Sequence, residues 1–375
     1  MVPVRSRPLI ERLWQRPLPL QWWPLWAALT PASVLYSAAL AARERWWRHH
    51  ASDAEVPTIS VGNLTVGGNG KTPFTLFLAS RLHARGLAVA IISRGWGGAS
   101  DTAALVSDGR NILIAPRMAG DEPVMMARSF GGPIAVARRR IDAAKMLRAH
   151  GHFDAFILDD GFQHLSLRRD VNLLLINSAH GFGNGWVLPA GPLREPRSAV
   201  SRADAIVLID SNVGQTPALT AADLALPKHT PIIRASIRPR ALVRADDSRW
   251  HESPLKLAGR RVVAVSGLAD SAGFHAMLAD LGATLVALFD FPDHHDYTPF
   301  DVENLLSAAR DLDHIVTTEK DLVKLERFPL RDVSLYALRL EVSMDAIDEA
   351  RLFNLIASRM RTADTSTGAD VHAPN

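Results

Sequence analysis

Residues Asn63 to Thr75 read NLTVGGNGKTPFT, and this stretch decides the fold. The run before it, Val56–Val61 (VPTISV), carries enough β-branched character for a short buried strand. Gly67, Gly68 and Gly70 let the backbone turn tightly, so that N–H groups of the Thr65-Val66-Gly67-Gly68-Asn69-Gly70 loop can converge on an anion. Lys71 adds a mobile positive charge for β- and γ-phosphates, and the Thr72 hydroxyl is placed to ligate Mg²⁺. The usual spacing puts a glycine five residues before the Gly of Gly-Lys-Thr, and here Thr65 stands there. Gly-Lys-Thr also occurs in ordinary turns. The strand before it, the three glycines and the helix-like run after it favour a nucleotide loop.

Outward from this loop, short apolar runs alternate with helix-like segments. Leu87–Ile92, Ile112–Ala115, Ile134–Ala137, Ala155–Leu158, Val171–Ile176 and Ala205–Ile209 are expected as strands, Phe74–Arg85 and Arg139–His150 as helices. The alternation argues for an α/β fold with a mostly parallel sheet, which binds ligands beyond the carboxyl ends of its strands. A second α/β unit begins near Leu257, with strands at Arg261–Ser266, Leu285–Phe289 and His314–Thr317. Ile232–Val243 and Val333–Val342 read as a two-stranded linker between the units. The resulting division is 1–50, 51–240, 241–360 and a polar, small-residue, disordered tail at 361–375.

With 375 residues the chain is long enough for two cores, and without cysteine it forms neither disulfides nor thiolate metal sites. The net charge of +3 is unevenly placed, since residues 1–50 hold seven arginines against Glu11 and Glu44. The rest of the chain carries no positive excess, which argues against nucleic acid as a partner. Pro17 to Ala42 contains no charged residue, and six of the nine tryptophans fall in the first 50 positions. Tryptophan beside arginine suits a lipid headgroup boundary. Pro17, Pro19, Pro24 and Pro31 interrupt the run, so an interfacial helix near Pro31–Trp47 is favoured over a full span or a buried soluble helix.

Five further clusters carry chemistry. Ala155–His164 (AFILDDGFQH) ends a strand in Asp159 and Asp160, the pattern that sets a carboxylate beside nucleotide-bound Mg²⁺. Gly120-Asp121-Glu122-Pro123 reads as a helix start with Asp121 as cap, a role compatible with catalysis. Trp186–Pro196 (WVLPAGPLREP) is a proline-stiffened loop ending in Arg194 and Glu195, with Arg197 beyond. Phe291–Tyr297 (FPDHHDY) offers a histidine–carboxylate pair for proton transfer. Thr317–Asp321 (TTEKD) reads as a helix cap.

Together with SRGW at 93–96, these strings resemble the tetraacyldisaccharide 4'-kinase family over roughly residues 15–325. The resemblance also accounts for Thr65. It implies a phosphate-loop kinase domain, a smaller α/β domain joined by a two-stranded linker, and an N-terminal membrane-associated helix. It implies transfer of the ATP γ-phosphate to the 4'-hydroxyl of a tetraacylated disaccharide 1-phosphate, at the cytoplasmic face of a bacterial inner membrane. By this resemblance Lys71 and Thr72 are the phosphate-loop lysine and Mg²⁺ ligand, and Asp121 is the base, supported by His294. Asp159 and Asp160 are metal-proximal carboxylates, with Glu195 a weaker candidate for the metal shell. Pairing Asp121 with His294 is expected to need closure of one unit over the other. No obligatory protein partner is implied. The rival reading is a membrane-associated ATPase or GTPase switch, which needs neither the LPAGPLREP nor the FPDHHDY cluster.

Overall fold

The computed structural model describes residues 13–14, 18–68, 70–210, 219–220, 222–227, 229–245, 251–269, 271–330 and 334–367, the last seven by backbone alone. Asn69 of the phosphate loop and 368–375 of the expected tail lie outside the described residues. The chain opens with helix α1 (Trp23–His50), 28 residues long. Pro24 sits in the first turn, where its missing N–H costs nothing. Pro31 lies inside the helix, and the Thr30 hydroxyl donates to Ala27 O at 2.8 Å, satisfying the carbonyl that the Pro31 N–H would have reached. The prolines therefore do not confine the helix to 31–47.

The phosphate-loop unit runs β1 (Thr58–Asn63), α2 (Lys71–Ala84), β2 (Val89–Ser93), β3 (Ala104–Asp108), α3 (Pro116–Ala119), α4 (Asp121–Ser129), β4 (Pro133–Val136), α5 (Arg140–His150), β5 (Ala155–Leu158), β6 (Val171–Asn177) and β7 (Ala205–Asp210). Ile112–Ala115, expected as a strand, makes only an isolated bridge from Ile112 to Ser107. The edge strand is β3, which pairs antiparallel with β4. After β8 (Ile232–Arg244) and the short β9 (His251–Glu252), the second unit runs β10 (Arg261–Ser266), α6 (Ala272–Asp280), β11 (Thr284–Asp290), α7 (Pro299–Ala309), β12 (His314–Thr318), α8 (Glu319–Leu325) and β13 (Leu335–Ser343). The last element is α9 (Ala346–Thr367), whose backbone carries the helix into the stretch expected to be a tail.

Among the described residues one sheet holds these strands in the order β11-β10-β12-β13-β8-β7-β6-β1-β5-β2-β4-β3. Apart from the edge strand β3, both flanks are parallel, and the direction reverses where β8 and β13 pair antiparallel along their length. The central strands are apolar and buried on both faces, as a helix-covered parallel sheet requires. Helix α9 returns to the first unit, where Leu352, Phe353 and Ile356 join the core of Phe74, Leu78, Ile91 and Ile157. Glu349 ties it to Arg81 of α2 at 3.5 Å. The 241–360 division takes no account of this return.

Strands β1, β5 and β2 are neighbours, so their carboxyl ends bring the phosphate loop, the Asp159–Asp160 pair and Ser93 to one place. The backbone after β5 also crosses β1 closely: a Cβ on Gly62 would lie 2.6 Å from Phe162 Cβ and 2.7 Å from Phe162 N. Gly62→Ala is expected to destabilise the chain by about 1–3 kcal/mol through overpacking, read as a lower denaturant midpoint in chemical unfolding. An unchanged midpoint would show that the crossing can relax.

Candidate active site

The phosphate loop leaves β1 at Asn63 and ends at Gly70, whose φ of 71° turns the chain into α2. Gly67 has a φ of 99°, a conformation that disfavours any side chain. A Cβ on Gly67 or Gly68 would meet nothing within 4 Å. These glycines therefore face open space, where phosphates can approach the backbone. Thr65 bridges to Leu193, and the Val66 N–H donates to Pro192 O at 2.9 Å. The 186–196 segment is thereby laid along the phosphate loop, and the Arg194 N–H donates to Leu64 O at 2.7 Å.

The two aspartates after β5 have opposite surroundings. Asp159 is 3% exposed and accepts from the Thr75 hydroxyl at 3.0 Å and the Ser93 hydroxyl at 3.5 Å. Burial, with the charges of Glu122 and Asp160 adding to it, raises its pKa to about 7. Asp160, at a φ of 48°, pairs with Arg194 at 2.9 Å and Lys71 at 3.5 Å. Burial pushes the Asp160 carboxyl up, but Lys71 and Arg194 outweigh it and hold the pKa below the ordinary range. Lys71 also donates to Asn63 Oδ1 at 3.1 Å. Thr72 lies in the first turn of α2, three residues before Thr75 and so on the same side of the helix.

Among the described residues no three His, Asp or Glu side chains gather as a metal cage. A divalent cation beside Asp159 would therefore complete its shell with a hydroxyl and phosphate oxygens, the usual Mg²⁺ arrangement. The carboxylate's crowding by Glu122 and Asp160, with hydroxyls rather than an arginine at its oxygens, fits such a cation.

The other basic and acidic candidates separate. Glu195 is buried and ion-paired with Arg202, which also reaches Glu44 of α1 at 3.0 Å. Arg197 donates to Leu224 O and lies over the Phe182 ring at 4.7 Å, while Arg94 lies over Trp96 at 5.2 Å. Helix α1 docks on the same loops. Ser33 donates to Val187 O at 3.0 Å and accepts from the Ala190 N–H at 2.9 Å, and Arg43 donates to Gln163 O at 2.8 Å.

Gly120 is the N-cap of α4, so Asp121 occupies the first helical position and its side chain does not cap. It turns instead toward the second unit, with Oδ2 3.5 Å from His294 Nδ1 and 3.3 Å from Lys324 Nζ. Burial pushes the Asp121 carboxyl up, but the His294 contact and the Lys324 charge outweigh it and lower the pKa. The pair is thus already assembled without further closure. Arg128 of α4 grips Glu326 with two hydrogen bonds of 2.6 Å, holding the units together on this side. Of the adjacent histidines only His294 reaches the site. His295 stacks on Phe291 and meets Asp301 at 3.1 Å, supporting the start of α7.

Thr318 caps α8, as the TTEKD string suggested, through Asp321 N at 3.1 Å. The string also supplies Lys320, at 2.6 Å from Asp293 and 3.3 Å from His294 Nε2, and four residues on comes Lys324. These lysines, with Thr75 and Ser93, escaped the reading of the sequence. An i, i+4 lysine pair after a cap is a legible signal for one helix face, but not for what that face meets.

The sequence profile of the family described as Tetraacyldisaccharide-1-P 4'-kinase matches residues 25–361. The chain belongs to this family. It is 36% identical over 352 residues to the tetraacyldisaccharide 4'-kinase of Desulfatibacillum aliphaticivorans, covering 90% of this chain and 94% of that protein. It is 42% identical over 299 residues to the enzyme of the same name from Geobacter sulfurreducens, covering 79% and 82%. The crystal structure of LpxK from Aquifex aeolicus in complex with ATP superposes with a TM-score of 0.73 at 31% identity, covering 90% of this chain and 99% of that one. A family relative of the same fold is thus in complex with ATP.

Asp159 offers a test of the site's electrostatics. Its folded pKa of about 7 exceeds the ordinary 3.8, so the folded state holds this proton more tightly than the unfolded chain. Its contribution to stability is present at low pH and lost as pH rises from about 4 to about 7. Asp159→Asn removes that dependence. Urea titrations of both proteins across this window should show wild type losing stability relative to the variant as pH rises. Parallel pH profiles would mean that the buried carboxylate ionises normally.

Proposed function

We infer that the chain is an ATP-dependent kinase that transfers the γ-phosphate to the 4'-hydroxyl of tetraacyldisaccharide 1-phosphate, giving the 4'-phosphorylated lipid A precursor and ADP. The observation that carries this reading is the Asp121–His294 contact at 3.5 Å, beside Glu122, whose charge is felt at Asp159 next to the phosphate loop. A carboxylate backed by an imidazole serves deprotonation of an acceptor hydroxyl, which a nucleotide switch does not need.

The division of labour follows from the residues. The phosphate loop from Thr65 to Thr72 cradles the β- and γ-phosphates with its N–H groups, and Lys71 leaves Asn63 and Asp160 to reach them. Thr72 and Asp159 would hold Mg²⁺, which would neutralise phosphate charge, whereas Glu195 is engaged by Arg202. Asp160 keeps Lys71 and Arg194 oriented while they wait. The 4'-oxygen bonds to Pγ as the bond from Pγ to the β,γ-bridging oxygen breaks, and the hydroxyl proton passes to Asp121. Lys71 and Arg194 meet the charge that develops on the transferring group.

An acyl-bearing disaccharide stays in its bilayer, so the enzyme must meet it there. Helix α1 is long and apolar enough to cross a membrane by length and composition, and little of its apolar stretch is buried. Leu20, Trp23, Val34, Leu35 and Trp46 are exposed on or beside it, while Ser33 and Arg43 fasten its other side to the site loops. This arrangement supports α1 lying in one leaflet, as a peripheral or monotopic anchor. The need for ATP puts that leaflet on the cytoplasmic side of the inner membrane. The reading uses residues 51–240 as the kinase unit and 241–360 as the unit that brings His294, and it invokes no protein partner.

The decisive assay follows label from γ-³²P-ATP into disaccharide 1-phosphate in mixed micelles. Label in the lipid is expected, and label released only as inorganic phosphate would favour a switch. Asp121→Asn and His294→Ala should each lower kcat by about a hundredfold or more, and near-normal turnover in both would remove the base assignment. Deleting residues 1–45 should raise KM for lipid more than for ATP, and equal effects on the two would count against membrane docking.

A further inference from the structure

The side chains of Lys320 and Lys324 are 10% and 7% exposed, on one face of α8 and directed at the other unit. A lysine so buried needs a reason. Their contacts divide the Asp121–His294 pair between them. Lys324 Nζ meets Asp121 Oδ2 at 3.3 Å, the same oxygen that faces His294 Nδ1, and its other side meets Asp321 at 3.3 Å. Lys320 Nζ lies on the far side of the imidazole, 3.3 Å from Nε2, fixed by Asp293 at 2.6 Å and Glu122 at 3.6 Å.

An ammonium has donors and no acceptor. His294 Nε2 faces the Lys320 ammonium at 3.3 Å and the Asp293 carboxylate at 3.8 Å, and since only the ammonium is within hydrogen-bond distance, Nε2 offers it a lone pair and carries no proton. The ring's proton then sits on Nδ1, a buried atom that lies 3.5 Å from Asp121 Oδ2 without completing a hydrogen bond to it. We propose that Lys320 is a positioning residue: it holds His294 as the neutral Nδ1–H tautomer, so that His294 turns an N–H toward Asp121 Oδ2 without adding a second full positive charge beside the base. His294 as an imidazolium would weaken that base, and as the Nε2–H tautomer it would set a lone pair against a carboxylate. With His294 and Lys324 both on Oδ2, Oδ1 is the oxygen presented to the acceptor hydroxyl.

The groups around His294 support this. It is met by Asp121 from α4, by Asp293 from its own loop, by Lys320 from α8 and by the Trp96 ring at 6.4 Å. Its φ of 59° is a left-handed conformation, uncommon for a side-chain-bearing residue, that a functional loop can hold. Burial works against the Lys320 ammonium, but Glu122 and Asp293 outweigh it and raise its pKa, so it remains a donor. Fastening the two units is a weaker account of Lys320, because the Arg128–Glu326 fork already does so.

The proposal rests on Asp121 being the base, and its test separates the two. Two-bond ¹H–¹⁵N spectra of ¹⁵N-histidine-labelled full-length protein report each ring's tautomer, with His294 assigned by difference against His294→Gln. Wild type at neutral pH should show His294 protonated on Nδ1 alone. Lys320→Gln should lose that signature and lower kcat by about tenfold or more with both KM values nearly unchanged, and Lys320→Arg, also donor-only, should recover most of each. A wild-type Nε2–H or imidazolium signal overturns the proposal, and so does a Gln variant that keeps the tautomer or turnover. Should the Gln variant fail to fold, the wild-type and Arg spectra still decide. Normal turnover in Asp121→Asn would overturn the base reading alone, leaving the tautomer measurement to judge Lys320.

Discussion

A carboxylate that is to accept a proton must be withdrawn from bulk water and yet remain ionised, and burial alone works against the second condition. Asp121 meets both conditions only because positive charge and an imidazole reach it from the other unit. Much of the architecture serves that meeting. The antiparallel β8–β13 pair joins two parallel flanks in one sheet, so α8 lies against α4 across the reversal. The Arg128–Glu326 fork fixes the distance. A buried charge with its partners removed would be costly, so the Asp121 carboxylate and the interface between the units stand or fall together.

The phosphate side obeys the same rule with different partners. Lys71 and Arg194 share Asp160, which keeps the two cations together beside the phosphate loop. Asp159, a residue away, is left with two hydroxyls and raised toward neutrality. Two adjacent aspartates thus acquire separate tasks from their surroundings rather than from their identity. Helix α1 is fastened to these loops through Ser33 and Arg43 and through Arg202, which bridges Glu44 and Glu195. The apolar N-terminal helix and the phosphate loop therefore share a wall.

Most of the sheet was legible along the chain. Strands β5, β6 and β7 fall where their short apolar runs predicted, because a buried parallel strand must be apolar on both faces. The phosphate loop was legible because a tight anion-binding turn needs glycine at fixed places. Ile112–Ala115 misled, since four apolar residues are compatible with a strand but nothing local supplies a neighbour to pair with. The prolines of α1 misled in the other direction, because the Thr30 hydroxyl and the first-turn placement of Pro24 remove their penalty. In the candidate site, Asp121 and the two FPDHHDY histidines could be named from their clusters, with His294 picked out by the family resemblance, whereas Lys320, Lys324 and Thr75 could not.

By itself, then, the sequence determined the α/β alternation, the nucleotide loop, the strand-end carboxylates and an apolar helix rich in tryptophan near its start. Each is written in a local pattern, because hydrophobic period, glycine placement and charge act over a few residues. The tertiary structure alone decided which oxygen of Asp121 faces its partners, why Asp159 and Asp160 differ, and where α9 returns. Those outcomes depend on burial and on charges brought together from distant parts of the chain, and electrostatic strength in a protein is set by such surroundings. The residues carry the chemistry, and the fold sets their ionisation and orientation.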